Sequence, residues 1–144
     1  MTDSPQTIRI AAGVVRELVT HARQAAPREC CGLLVGSPQH IVECVATANV
    51  DPHPSRYQVD PAAHIALNRQ LRGTGRAVVG VYHSHPRGGV EPSPTDVGEA
   101  FYPAFVHVIV SVVHEAVPII GAYRIIGGQV DRLIVEEDCG GQSS

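Results

Sequence analysis

Residues 77–86 read AVVGVYHSHP, an apolar run that ends in two histidines flanking a serine. A continuous apolar run of this kind is typical of a strand that is covered on both faces of a sheet. If the extended backbone continues past Tyr82, His83 and His85 point to one face and Ser84 points to the other. The two histidine Cα atoms would then lie roughly 6–7 Å apart, so both imidazoles can reach a single metal ion.

A candidate third ligand follows a loop rich in glycine and proline. Ser93 and Pro94 have the character of a helix N-cap and first helical residue, which places Asp96 in the first turn. Asp96 is also placed to complete a capping box with Ser93, and we expect it to bind the metal instead. Two imidazoles and one carboxylate leave a fourth tetrahedral position for water, which is the arrangement of a catalytic zinc site. An H-x-H pair alone would be a weak signal for such a site.

The rest of the chain predicts an α/β or α+β fold with a single mixed β-sheet and helices packed against it. Gly127-Gly128 is a two-residue hairpin signal between the last two strands. One domain is expected over residues 1–135, with a flexible tail at 136–144. Strands are expected at 7–10, 30–36, 41–48, 77–82, 105–113, 118–126 and 129–135, and helices at 13–26, at 60–71 and after Ser93.

Composition favours a globular protein. The chain has 144 residues, of which 44% are hydrophobic and 17% charged, enough for one buried core. A net charge of −3 provides no overall attraction to nucleic acid or to an anionic membrane. No apolar run is long enough to span a bilayer, and the first residues do not resemble a secretory signal. We therefore expect a soluble cytoplasmic protein without nucleic-acid or membrane partners.

The cysteines predict no second site. Because no C-x-x-C pair occurs, neither a cysteine zinc site nor a redox motif is supported. Cys30, Cys31 and Cys44 are expected to be small, buried and reduced, and Cys139 to be exposed in the tail. Of the remaining histidines, His107 and His114 are expected to be strand or turn residues.

Five residues together resemble the JAMM motif of the MPN-plus zinc metalloproteases. The order is H-x-H at His83 and His85, seven residues, Ser93, two residues, and then Asp96. Glu29, within the segment PRECCGLLVG, occupies the place of an upstream glutamate in that family. The resemblance covers almost the whole chain. It implies a JAMM/MPN-like, cytidine-deaminase-like fold and one Zn²⁺ ion per chain.

The resemblance also implies a role for each residue. His83, His85 and Asp96 correspond to the zinc ligands. Glu29 corresponds to the general base, which takes a proton from the zinc-bound water and passes it to the leaving amine. Ser93 corresponds to the hydroxyl that stabilises the tetrahedral oxyanion.

The substrate class is implied by the resemblance alone. The chain is similar to the compact prokaryotic members, which act on amide or isopeptide bonds after the C-terminal Gly-Gly of ubiquitin-like or sulfur-carrier proteins. Some of these release cysteine or a short extension. A glycine-rich tail of this kind is expected to add beside a sheet edge. The carrier, the leaving group and the oligomeric state stay open, and a homodimer is one option.

Two alternatives are kept beside this interpretation. A RadC-like protein linked to DNA repair shares a similar H-x-H-P and S-x-x-D arrangement, although the acidic net charge and Glu29 argue against it. A non-catalytic MPN scaffold is the role of members that have lost metal ligands, whereas all five positions are present here. A zinc deaminase is excluded because the chain lacks the H-x-E and P-C-x-x-C motifs.

Overall fold

The computed structural model describes residues 6–53, 55–100, 102–113 and 118–138. Its helices and strands lie close to the positions that the sequence predicts. In chain order they are β1 (Thr7–Ala11), α1 (Ala12–Ala25), β2 (Cys31–Ser37), β3 (His40–Thr47), α2 (Pro61–Leu71), β4 (Ala77–His85), α3 (Pro94–Gly98), β5 (Val106–Ser111), β6 (Ile119–Ile126) and β7 (Gln129–Asp138).

The strands form one mixed sheet in the order β1-β3-β2-β4-β5-β6-β7. Strand β1 pairs in parallel with both β3 and β7, so the sheet closes into a barrel. The predicted mixed sheet with packed helices is confirmed, whereas its closure has no signal in the sequence. Closure removes the two outer edges that an open sheet offers to an added strand. A substrate tail that added as an extra strand, as expected above, would therefore find no outer edge on this sheet.

The last strand is longer than the sequence indicates. Residues 136–138 were expected to begin a flexible tail, but they belong to β7 and pair with Arg9, Ile10 and Ala11 of β1. A hydrophobicity pattern does not indicate a strand at these three residues, because all of them are charged. Their pairing with β1 depends on backbone hydrogen bonds, which do not require apolar side chains. The remaining tail residues, including Cys139, lie outside the described part of the chain.

Strand β4 lies in the middle of the sheet, between antiparallel β2 and parallel β5. One face contributes Tyr82 to the main core, in which Leu18 and other buried residues of α1 pack. The other face places Val81 against Leu67 of α2. The interpretation of 77–82 as a strand covered on both faces is therefore confirmed. Gly80 is required there, because a Cβ would lie only 2.2 Å from the carbonyl oxygen of Val106.

The register between β2 and β4 determines which residues lie beside the two histidines at the end of β4. Cys31 pairs with His83 in this antiparallel ladder. One residue further on, the Ser84 amide donates to the Cys30 carbonyl at 3.1 Å. The ladder ends there, and Glu29 lies in the loop just before β2. Among the described residues, no helix is long and apolar enough to cross a membrane.

Candidate metal centre and active site

Three side chains converge at the end of β4. The Nε2 atoms of His83 and His85 lie 3.1 Å apart, and each lies 3.1 Å from Oδ2 of Asp96. The centre of this triangle is about 1.8 Å from each atom, slightly inside the 2.0–2.1 Å typical of zinc–nitrogen bonds. The three atoms are therefore close enough together to share one ion. Within the described residues, this is the one cluster of three such side chains able to hold a metal.

Helix α3 orients the carboxylate of this cluster. Ser93 Oγ accepts the Asp96 amide at 3.0 Å, and Asp96 Oδ2 accepts the Ser93 amide at 2.9 Å, which completes a capping box. We expected Asp96 to give up the cap in order to face the histidines, and that expectation was wrong. The same oxygen does both, because each carboxylate oxygen has two lone pairs.

The charges of the cluster favour a bound cation. Burial disfavours the imidazolium of His83 and lowers its pKa. Burial acts in the same direction on His85, but hydrogen bonds to Asp96 and the Gly89 carbonyl outweigh it and raise its pKa. Burial would raise the pKa of Asp96, yet hydrogen bonds from both histidines hold it well below its usual range. Lone pairs of two imidazole nitrogens and one carboxylate oxygen thus point at the same place. Because these lone pairs repel one another, a proton or a metal ion must lie between them.

Two contacts orient the histidine rings. The Nδ1 of His85 donates to the Gly89 carbonyl at 2.9 Å, so the neutral ring directs its Nε2 lone pair at the cluster. The ring of Tyr57 stacks on His83, with centroids 4.1 Å apart and planes 14° from parallel. His83 Nδ1 has no hydrogen-bond partner in the described part of the chain, so this stacking and the contact of Nε2 with Asp96 orient the ring. The sequence contained no signal for Tyr57, which lies in a proline-broken loop.

Glu29 lies beside the cluster with a free oxygen. Its Oε1 is buried and has no hydrogen-bond partner among the described residues. Burial raises the pKa of Glu29 to about 7; His85 opposes this shift, while Asp96 and Asp51 reinforce it. A carboxylate with a pKa near neutrality can both take up and release a proton at physiological pH.

Two residues that the sequence did not single out hold the backbone of Glu29 in place. Ser84, buried on the opposite face of β4, accepts the Cys30 amide through its Oγ at 2.8 Å. Asn49, just beyond β3, donates its Nδ2 to the Glu29 carbonyl at 3.0 Å. The two-residue periodicity of a strand predicts the direction of Ser84 but not its partner.

A cavity of about 420 Å³ opens beside the cluster and is lined by Glu29, His85 and Ser93. Ser93 Oγ accepts one amide hydrogen, so its own hydrogen remains available for donation into this space. A second cavity, of about 370 Å³, is lined by Tyr57 and His107. The five residues of the predicted motif therefore lie together, with Glu29, His85 and Ser93 around one open space.

Among the described residues, the other cysteines and histidines take no part in this cluster. Cys30 and Cys31 are buried as predicted, and Cys44 is half-buried. Burial raises the pKa of Cys31 to about 11 and that of Cys44 to about 12, so these thiols are unreactive. His107 is a buried strand residue, as expected; burial, with a further effect of His83, lowers its pKa to about 4. His114 lies outside the described residues.

A closed mixed sheet that carries an open His-His-Asp cluster defines a JAMM/MPN-type domain. The chain belongs to the family of prokaryotic homologues of the JAB domain, whose profile matches residues 11–125. Among solved structures, a protein from Desulfitobacterium hafniense superposes with a TM-score of 0.81 at 28% identity, covering 95% of this chain and 98% of that one. A JAB1/MPN domain protein from Archaeoglobus fulgidus, 24% identical, shares the fold with a TM-score of 0.61, covering 90% and 100% of the two chains.

The relatives of this chain include proteins that are named as enzymes. The desampylase of Haloferax volcanii is 32% identical over 111 residues, which span 72% of this chain and 80% of the relative. The CysO-cysteine peptidase of Mycobacterium tuberculosis is 31% identical over 123 residues, which span 84% of each chain. Together with the family match, these relatives confirm the resemblance to compact prokaryotic JAMM proteins.

Proposed function

We propose that this chain is a zinc-dependent peptidase or isopeptidase that hydrolyses an amide bond after the C-terminal Gly-Gly of a ubiquitin-like or sulfur-carrier protein. The observation that carries the proposal is the buried, unpartnered Oε1 of Glu29 beside the His-His-Asp cluster. The names of the two relatives support the substrate class. The free thiols of Cys30, Cys31 and Cys44 are typical of a reducing compartment and support a cytoplasmic location.

His83, His85 and Asp96 would hold the metal. Two imidazole nitrogens and one carboxylate suit Zn²⁺ better than Mg²⁺ or Ca²⁺, which prefer oxygen ligands. When bound, the ion lowers the pKa of a water molecule and polarises the scissile carbonyl group.

Glu29 moves the proton. Its free Oε1 accepts the proton of the attacking water and then delivers it to the leaving amine. Glu29 would be ionised at neutral pH with a cation held by the three ligands, because the positive charge would lower its pKa below the value of about 7 that burial gives it in the protein alone.

Ser93 is suited to stabilise the oxyanion. Its hydroxyl hydrogen is not used by the cap, and the capping box holds the side chain in one position at the wall of the cavity. A preorganised donor of this kind typically contributes about 10²–10³ in rate.

The test uses zinc-loaded protein and small carrier proteins with C-terminal extensions, and mass spectrometry identifies the bond cleaved. Glu29→Gln should keep one zinc ion per chain and lose at least about 10² in kcat, because general base catalysis contributes 10²–10⁴. Glu136→Gln, an exposed carboxylate on β7, is the matched control and should behave like the wild type.

Three results would contradict the proposal. Full activity in Glu29→Gln would remove Glu29 as the base. A wild-type protein that binds no zinc and cleaves no carrier would favour the non-catalytic scaffold. Salt-sensitive binding to DNA, without hydrolysis of carriers, would favour the RadC-like alternative.

A further inference from the structure

Two arginines line the cavity that contains Glu29 and Ser93. Arg28 precedes Glu29 in the loop before β2, and Arg87 lies in the loop after β4. Both side chains are exposed, and neither forms a salt bridge with any carboxylate of the described residues. Two arginines without a salt-bridge partner among the described residues therefore line one open space from separate loops.

The cavity lined by Tyr57 and His107 has the opposite charge. Asp51 and Glu99 belong to its wall, and no arginine lies among its lining residues. The two cavities therefore differ in the charged side chains of their walls.

The position of Glu29 sets the direction of the substrate. Because Glu29 delivers the proton to the leaving amine, the leaving group must lie in the cavity that Glu29 shares with the two arginines. In a leaving amino acid, the carboxyl carbon is only about 2.5 Å from the amine nitrogen, across the N–Cα and Cα–C bonds. Its carboxylate would therefore lie in this same cavity. In an isopeptide bond, the leaving amine is instead the ε-amine of a lysine inside another chain. That leaving group would place a four-carbon side chain in the cavity and no negative charge.

We propose that Arg28 and Arg87 bind the free α-carboxylate of the leaving residue, so that the chain prefers to release a C-terminal residue from a linear carrier over cleaving an isopeptide bond. This inference rests on the proposed peptidase activity. Guanidinium groups bind carboxylates through paired, charge-assisted hydrogen bonds. The carboxylate persists unchanged through the reaction, so its binding lowers KM and leaves kcat unchanged.

The experiment compares three versions of one small ubiquitin-like protein, made by chemical ligation. The first ends in Gly-Gly-Ala with a free carboxylate, the second ends in the same residues as a carboxamide, and the third joins Gly-Gly to the ε-amine of an internal lysine. Zinc-loaded wild type should favour the free acid over the carboxamide and the isopeptide by about tenfold in kcat/KM, through KM, as expected for a charged hydrogen bond near solvent.

The double variant Arg28→Gln/Arg87→Gln should bring the ratio of acid to carboxamide close to one. Arg28→Lys/Arg87→Lys should restore part of the preference, because the charge remains while the paired geometry is lost. Arg72→Gln, at an exposed arginine after α2, is the matched control and should keep the wild-type ratio.

The outcomes separate this inference from the proposed function. If the wild type cleaves acid, carboxamide and isopeptide equally well, the inference is wrong and the peptidase proposal stands. If the double variant keeps the wild-type ratio, the two arginines do not bind the carboxylate. If zinc-loaded protein cleaves none of the three carriers, the proposed function is wrong and the inference falls with it.

Discussion

Asn49 connects three segments around the active site through four hydrogen bonds. Its Nδ2 donates to the carbonyls of Glu29 at 3.0 Å and Arg56 at 2.9 Å. Its Oδ1 accepts the amides of Asp51 and Gln58, each at 3.0 Å. Two of these bonds are exposed, so water can replace them when the side chain is removed. The two sheltered bonds contribute about 1 kcal/mol each, so Asn49→Ala should lower the free energy of unfolding by about 2 kcal/mol.

The same substitution should also reduce activity. Without Asn49, the Glu29 backbone loses its link to the segment 51–58, which carries Tyr57. Because small misplacements of a catalytic group are costly, we expect kcat to fall by about tenfold or more. Zinc stoichiometry should be unchanged, since none of the four hydrogen bonds of Asn49 involves the three candidate ligands.

Chemical denaturation measures the stability loss, and cleavage of a carrier under saturating conditions measures kcat. Asn68→Ala, at an exposed position on α2, removes the same side-chain atoms and should change neither quantity appreciably. The reasoning is refuted if Asn49→Ala unfolds within about 0.5 kcal/mol of the wild type and keeps its kcat, since surface substitutions without a structural role fall in that range.

Two further predictions concern the base and the metal. Because Glu29 must be ionised to accept a proton, kcat/KM should rise with pH along an acid limb whose midpoint lies at or below the pKa of about 7 in the metal-free protein. A pH profile measures it, and the same limb in the residual activity of Glu29→Gln would contradict the assignment. Tyr57→Leu should weaken zinc binding by about tenfold because the stacked ring on His83 is lost, whereas Tyr57→Phe should bind normally. Competition with a chelator compares them, and equal affinities in the two variants would show that stacking has no part.

Much of the fold can be predicted because its signals are local. The periodicity of α1 appears in the spacing of Val14, Leu18 and Ala22, all of which are buried. The turn between β6 and β7 follows from Gly127 and Gly128, which adopt φ values of 57° and 84°. Closure of the sheet has no such signal. It depends on β1 pairing with strands that are distant in the chain, so no short window of sequence contains it.

The candidate site also has features that the local sequence predicts and features that it does not. The pair His83 and His85 follows from strand alternation, and the α3 start at Ser93 and Pro94 follows from capping chemistry. The capping box of Asp96 was recognised in the sequence, but its coexistence with the histidine contacts was not. That outcome depends on where α3 packs, which the local sequence does not specify.

The stretch of residues 77–86 and its downstream aspartate therefore determined, by residue type and spacing, that a metal could be held at the end of a buried strand. The tertiary structure decided what surrounds it. The pairing of β2 with β4 brings Glu29, just before β2, to the cavity that His85 also lines, and the loop before α2 brings Tyr57 onto His83. Neighbouring residues encode local geometry through backbone preferences and periodicity. Contacts between distant segments exist only once all the strands have paired, because their register depends on the packing of the whole sheet.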